Sequence, residues 1–436
     1  MPATRVRIIW DRLSSTLWFV PATMTGGAIT LAFVMVWLDR GTSDDYEPWF
    51  FLYSGGAEGA RSVLSTIAGS MITVAGVVFS STVVALSFAS AHLGPRLLRN
   101  FMKDRGNQIV LGTFISTFVY CLLVLRTVSE TGDGFVPHIG VTAGLFMALA
   151  SLAVLIYFIH HVARSLQADV VISIVAEELD RSIEGLYPGG MGEDVPESRL
   201  AEMEEREQQL DREKSVQVAL PDSGYLHALE VETVIDLAAG EQLVIRLLTR
   251  PGRYIHDGTP VAEIWPIEQA TQEVTKKLSS AFLLGRTRTS QQDVEFAINQ
   301  LVEVALRALS PSINDPFTAI TCIDRLSTGL LHLMRRSFPT RYRMTSDGRL
   351  AVIASRSNFD GVTDAAFHQI RQSGAGMPAV TIYLLESLSV LLRHATTDEQ
   401  RRALTRHMDL VRRAGLRETD EALDRADLAD RATPGD

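Results

Sequence analysis

The chain has 436 residues, 46% of them hydrophobic, and a net charge of −10. That acidic surplus argues against nucleic acid as a partner, because phosphate backbones are held by clustered Lys and Arg. Cys121 and Cys322 are its only cysteines, which gives no spacing for a disulfide framework or a metal cluster, and both read as small buried hydrophobes.

Four blocks, 17–38, 63–91, 109–125 and 139–158, contain no Asp, Glu, Lys or Arg. Each is long enough to cross a hydrocarbon core of about 30 Å, which takes about 20 helical residues, the third by borrowing flanking positions. Pro21 falls in the first turn of the first span, where a missing N–H is tolerated. That span is too long for a cleavable signal and is expected to stay as an anchor. Arg5, Arg7 and Arg12 precede it, and Arg96, Arg99, Lys103 and Arg105 fill the loop between the second and third spans. By the positive-inside bias these segments, and with them the C-terminal domain, belong in the cytoplasm. Trp10, Trp18, Trp37, Tyr46, Trp49, Phe50, Phe51 and Tyr53 fit interface anchors.

In the second span, Ser62, Gly69, Gly76 and Ser90 recur every seven residues, interrupted by Val83, and Thr66, Thr73, Ser80 and Ser87 form a second such row. On a helix the rows merge into one polar face. Thr66, Gly69, Thr73, Gly76, Ser80 and Ser87 are therefore candidates either for close helix packing or for lining a wetted path built from several copies of the chain. Charge-free spans argue against a proton relay, a voltage sensor or an ion-coupled carrier, so any transport is expected to be channel-like. His160 and His161 read as interfacial.

Residues 1–164 thus form the transmembrane domain, and 165–215 a juxtamembrane helix followed by a charged linker or exposed helix. In that helix Leu166, Val170, Ile174, Val175, Leu179 and Ile183 make the apolar stripe, and Pro188, Gly189, Gly190 and Gly192 end it. Across 216–266, runs at 216–220, 243–249 and 261–265 read as strands of a small β domain. The turn at 251–264 is similar to the half-barrel turn of lipoyl and biotinyl carrier domains, but the segment holds no lysine to carry such a cofactor. A small β-barrel used for packing is expected there.

Residues 267–416 read as helical. A helix beginning at Gln291, with Ser290 and Asp293 as a capping box, buries Val294, Ala297, Leu301, Val304, Ala305 and Ala308. In the run 309–316, Asp315 suits the cap of the next helix and Pro316 its first position. Alternatively Arg286, Arg288, Asp293, Asn314 and Asp315 gather into a charged cluster that binds a cytoplasmic ligand or transmits a signal. Further helices are expected at 317–338, 378–395 and 398–414, the last opened by Thr397 and Gln400, with a disordered acidic tail over 417–436. There is no Walker loop, Gly-x-Ser-x-Gly elbow, His-Glu-x-x-His pair or Cys-x-x-Cys, and the ten histidines show no ligand spacing. No enzymatic activity, metal or cofactor is expected.

The fold class expected is a mainly α membrane protein with four spans, a cytoplasmic β-barrel-like segment and a helical region. The run from Leu284 through Gly-Arg-Thr-Arg-Thr-Ser-Gln-Gln-Asp-Val-Glu-Phe, and Arg307-Ala-Leu-Ser-Pro-Ser-Ile-Asn-Asp-Pro-Phe-Thr-Ala, resembles the bacterial predicted membrane proteins of domain of unknown function 2254. Ser312 stands where that family leads one to expect glycine. The resemblance implies a bacterial inner membrane and supplies no activity, so the lipid bilayer and further copies of the chain are the expected partners.

Overall fold

The computed structural model describes residues 16, 18–41, 52–92, 94, 104–129, 135–165, 167–187, 197–289, 292–336, 338, 340–355 and 358–430. The chain divides into two compact units, Met1–Val170 and Val171–Asp436.

The first unit contains helices α1 (Phe19–Gly41), α2 (Ala57–His92), α3 (Arg105–Leu125) and α4 (His138–Ser165), matching the four uncharged blocks with a few residues added at most ends. All four are long and apolar enough to cross a membrane. α3 is the hub that packs on the other three, and 50% of its most apolar window is buried against 11% of that of α2, so α2 is the most outward-facing span. Alanines on α1 and α2 let larger side chains fill the crossings: Ala28 and Ala32 of α1, Ala60, Leu64 and Ala68 of α2, and Tyr120, Cys121 and Val124 of α3 share one core with Val141 of α4. A second cluster joins Ala75, Val78, Val110, Phe114 and Phe158.

Polar groups tie the helix ends. The Asp39 carboxylate accepts the Ile139 and Gly140 N–H groups, both at 2.9 Å, satisfying donors that the first turn of α4 leaves open. Asp104 caps α3 through the Gly106 N–H at 2.9 Å and meets His161 Nε2 at 2.5 Å, so His161 joins the end of α4 to the start of α3. Trp18 and Trp37, near the two ends of α1, are exposed, while the Tyr53 N–H donates to Thr142 Oγ1 at 2.8 Å. The basic residues Arg5, Arg7, Arg12, Arg96, Arg99 and Lys103 lie outside the described residues, as do Trp10, Tyr46, Trp49, Phe50 and Phe51.

The second unit opens with α5 (Ala168–Leu186) and α6 (Glu197–Leu210). α5 buries Val171, Ile172, Val175, Leu179 and Ile183 and leaves Ile174 exposed, a face turned slightly from the expected stripe. Leu166, Pro188, Gly189, Gly190 and Gly192 lie outside the described residues. α6 is more than an exposed helix, since Met203 and Leu210 are buried with Trp265, Tyr342, Leu350 and Ile353.

The strands are β1 (Val216–Ala219), β2 (Gly224–Leu229), β3 (Val244–Leu247), β4 (Tyr254–Ile255), β5 (Pro260–Trp265), β6 (Phe282–Gly285), β7 (Tyr342–Met344) and β8 (Leu350–Ile353), with helices α7 (Val231–Gly240) and α8 (Gln272–Ser280) between them. They form a five-stranded sheet in the order β1-β5-β3-β8-β7 and a three-stranded sheet in the order β4-β2-β6. The pairs are antiparallel except for parallel β3–β8. The expected barrel confined to 216–266 is corrected: the described strands close no barrel, and β6, β7 and β8 enter the sheets from the region expected to be purely helical. Their pairing buries Ile245, Ile264, Ala351 and Val352 in one core.

The remaining helices are α9 (Val294–Ala308), α10 (Pro316–Met334), α11 (Phe359–Gly374), α12 (Pro378–Arg393), α13 (Asp398–Glu418) and α14 (Ala422–Asp430). Thr397 and Gln400 form the expected capping box on α13. The expectation of a disordered tail is corrected over 417–430, because α14 buries Leu428 against Gly415 of α13 and Arg425 donates to the Leu416 carbonyl at 2.7 Å, while 431–436 lie outside the described residues.

Candidate functional site

α2 carries two opposite faces. Its buried side is Ala60, Leu64, Ala68, Ala75, Val78 and Ala89. Thr66, Gly69, Thr73, Gly76, Ser80 and Ser87 are all exposed, centred roughly 160° around the helix from that side at 3.6 residues per turn. A Cβ placed on Gly69 or Gly76 would meet nothing within 4 Å. Exposed Ile72 and Phe79 flank this face on one side, and Val77, Val84 and Phe88 on the other, leaving a shallow groove floored by glycine and hydroxyls. The Thr66 and Thr73 hydroxyls donate to the Ser62 and Gly69 carbonyls at 2.7 and 2.8 Å. Their protons are thus spent on the helix's own backbone, and their oxygen lone pairs are what the groove offers outward. Positions 62, 66, 69, 73, 76, 80, 83, 87 and 90 alternate in steps of four and three, the seam of a left-handed supercoil. Only Val83 among them is bulky.

The second candidate cluster is split by the structure. α9 has 15 residues and is about 22 Å long at 1.5 Å per residue. Asp293 precedes its start, and Asn314 and Asp315 follow its end. The expected Ser290–Asp293 capping box is corrected too: α9 begins at Val294, Asp293 makes no side-chain cap bond, and Ser290 and Gln291 lie outside the described residues. The Asp293 carboxylate instead takes both arms of the Arg288 guanidinium, at 2.5 and 3.0 Å. Burial pushes its pKa up, opposed by Arg288. Beside it Arg250 bonds Glu295 at 2.6 Å. Gly252, with φ +88°, turns the chain directly under this carboxylate, where any Cβ would collide with it. The glycine of the 251–264 turn therefore makes room for a buried ion pair. Arg286 is exposed, past the end of β6.

At the far end, Asp315 accepts the Thr318 N–H at 3.1 Å and the Thr318 hydroxyl at 2.6 Å, capping α10 as expected, with Pro316 at its start. Asn314 has φ +50° and is exposed, and Asn is among the residues that tolerate this region. The left-handed position is thus 314 and not Ser312, where no glycine is required. Ile313 is 37% and Phe317 78% exposed, so the motif presents an apolar tip.

One constellation was missed in sequence. Asp364 and His368 of α11 and His407 of α13 bring ligand-capable atoms within 4.8 Å of one another. The i, i+4 spacing of Asp364 and His368 was the available signal, but it has meaning only on a helix, and none was expected over 359–374.

Four membrane-crossing helices joined to a sheet-and-helix unit mark a multi-pass membrane protein. The family model described as "Predicted membrane protein (DUF2254)" matches residues 14–389, and the chain belongs to that family. It is 33% identical over 432 residues to uncharacterized proteins of Mycobacterium bovis and Mycobacterium tuberculosis H37Rv, covering 97% of this chain and 80% of each relative. No solved structure matches it.

Proposed function

We propose that the chain is one subunit of a homo-oligomeric, channel-like protein of the bacterial inner membrane, in which α2 helices from several copies surround a path for small ions. The supporting observation is the orientation of α2: all six of its small and hydroxyl candidates face away from the other spans. Glycine and serine on a helix surface let another backbone approach closely, and hydroxyl oxygens facing a ring axis can replace part of an ion's hydration shell. The arginine-rich flanks support an orientation with the N-terminus and the C-terminal unit in the cytoplasm. Purified protein in liposomes is expected to pass a small monovalent ion, with Thr73→Leu or Ser80→Leu abolishing flux while the protein still elutes as a folded species. Absence of flux across a broad ion panel defeats the channel.

The exposed tip formed by Ile313, Asn314 and Phe317 supports a second reading, a membrane-anchored sensor or scaffold whose C-terminal unit holds a cytoplasmic protein. Phe317→Ser is then expected to abolish partner recovery in a pull-down while membrane insertion persists, and unchanged recovery removes this reading.

A further inference from the structure

The strongest unassigned chemistry lies between α11 and α13. His407 is fully buried, and its Nε2 lies 2.8 Å from Asp364 Oδ1. His368 Nδ1 lies 3.4 Å from the same oxygen without forming a hydrogen bond. Tetrahedral coordination with bonds of about 2.0–2.1 Å separates neighbouring ligand atoms by about 3.3 Å, so Asp364 already stands close to that spacing from each imidazole, and all three ligand atoms lie within 4.8 Å of one another. His368 Nδ1 and His407 Nδ1 are both buried with no hydrogen-bond partner among the described residues. A purely structural network satisfies its buried nitrogens, whereas the orphaned His368 Nδ1, 3.4 Å from the Asp364 carboxylate, leaves ligand capacity unused; His407 faces that carboxylate through Nε2.

We propose that Asp364, His368 and His407 form a mononuclear site for a divalent transition-metal ion, with zinc the best match to two imidazoles and one carboxylate. Three protein ligands leave a coordination position for water, and Asp364 and His368, each 35% exposed, keep that side open to solvent. Arg406 is the competing group, because its Nη2 sits 2.5 Å from Asp364 Oδ1. It also reaches Asp360 at 2.9 Å and keeps that anchor when the ion takes Asp364.

The test uses full-length protein without a polyhistidine tag, in nanodiscs, stripped with chelator and equilibrated with micromolar zinc. Elemental analysis after gel filtration is expected to give one zinc per chain, and His368→Ala to weaken binding at least tenfold. Its partly exposed side chain makes that variant compatible with folding, checked by circular dichroism. Cobalt added to the unaltered protein gives an independent readout, the intense visible bands of a four-coordinate site. Zinc well below one per chain, binding unchanged in His368→Ala, or a cobalt spectrum indistinguishable from the aqueous ion overturns the proposal.

Discussion

The second and third spans carry the same kinds of side chain and use them in opposite ways. On α3, Thr117 and Tyr120 are buried: the Thr117 hydroxyl meets Ser151 of α4 at 3.2 Å and the Tyr120 hydroxyl donates to the Gly140 carbonyl at 2.9 Å. On α2, Thr66 and Thr73 bond only their own helix and face outward. The glycines divide likewise. A Cβ on Gly112 of α3 would press on Met24 Sδ at 2.6 Å and Pro21 Cα at 3.2 Å, whereas Gly69 and Gly76 of α2 stand in open space. Polarity and small size within a span therefore do not say which surface they serve. The neighbour decides, and among the described residues none of the other spans covers this face of α2.

The sharpest way to break this comparison is to enlarge one glycine on each helix. Gly112→Leu overpacks the α1–α3 contact and is expected to cost about 1–3 kcal/mol or more of stability, read as a lowered thermal midpoint in detergent. Gly76→Leu is expected to leave the single chain's stability unchanged while weakening the proposed self-association, and equal destabilisation by both would erase the distinction. In the second unit, Asp315→Ala removes the cap of α10 and is expected to cost about 1 kcal/mol. An unchanged melt of that unit would release Asp315 from its structural role and return it to the binding hypothesis. A smaller effect belongs to Thr117→Val, expected to cost about 0.6 kcal/mol, as interhelical hydrogen bonds in membranes typically contribute. Thr73→Val is expected to cost less in a monomer, since it breaks only a local bond, and detergent-titration unfolding compares the two.

The spans were legible because runs without a single charge are rare outside lipid, and the small-residue period of α2 was legible as a face. Its direction was not, because periodicity identifies a side of a helix and not what stands opposite. The caps at Asp315 and Thr397 are local and could be read from spacing alone. Asp293 had the same spacing after Ser290, yet the guanidinium of Arg288 five residues upstream holds its carboxylate, a competitor that a capping rule does not weigh. The sheets were half legible: β1, β3 and β5 show in local pattern, but β8, which pairs with β3, lies about 100 residues downstream of it, and such pairing leaves no local trace. The Asp364–His368–His407 cluster stayed hidden for a related reason, since it joins two helices and one of them, with Gly361 in its first turn, gave too weak a signal to be expected.

Disulfide trapping in native membranes tests the outward face of α2 most directly. Cys121 and Cys322 are buried, which keeps the background low. Thr73→Cys and Ser80→Cys are predicted to give, on mild oxidation, a band at twice the 48.0 kDa chain mass, while Ala68→Cys and Ala75→Cys on the buried face remain monomeric. Cross-linking that is absent at Thr73 and Ser80, or equal on both faces, contradicts the claim that this groove receives another copy of the chain.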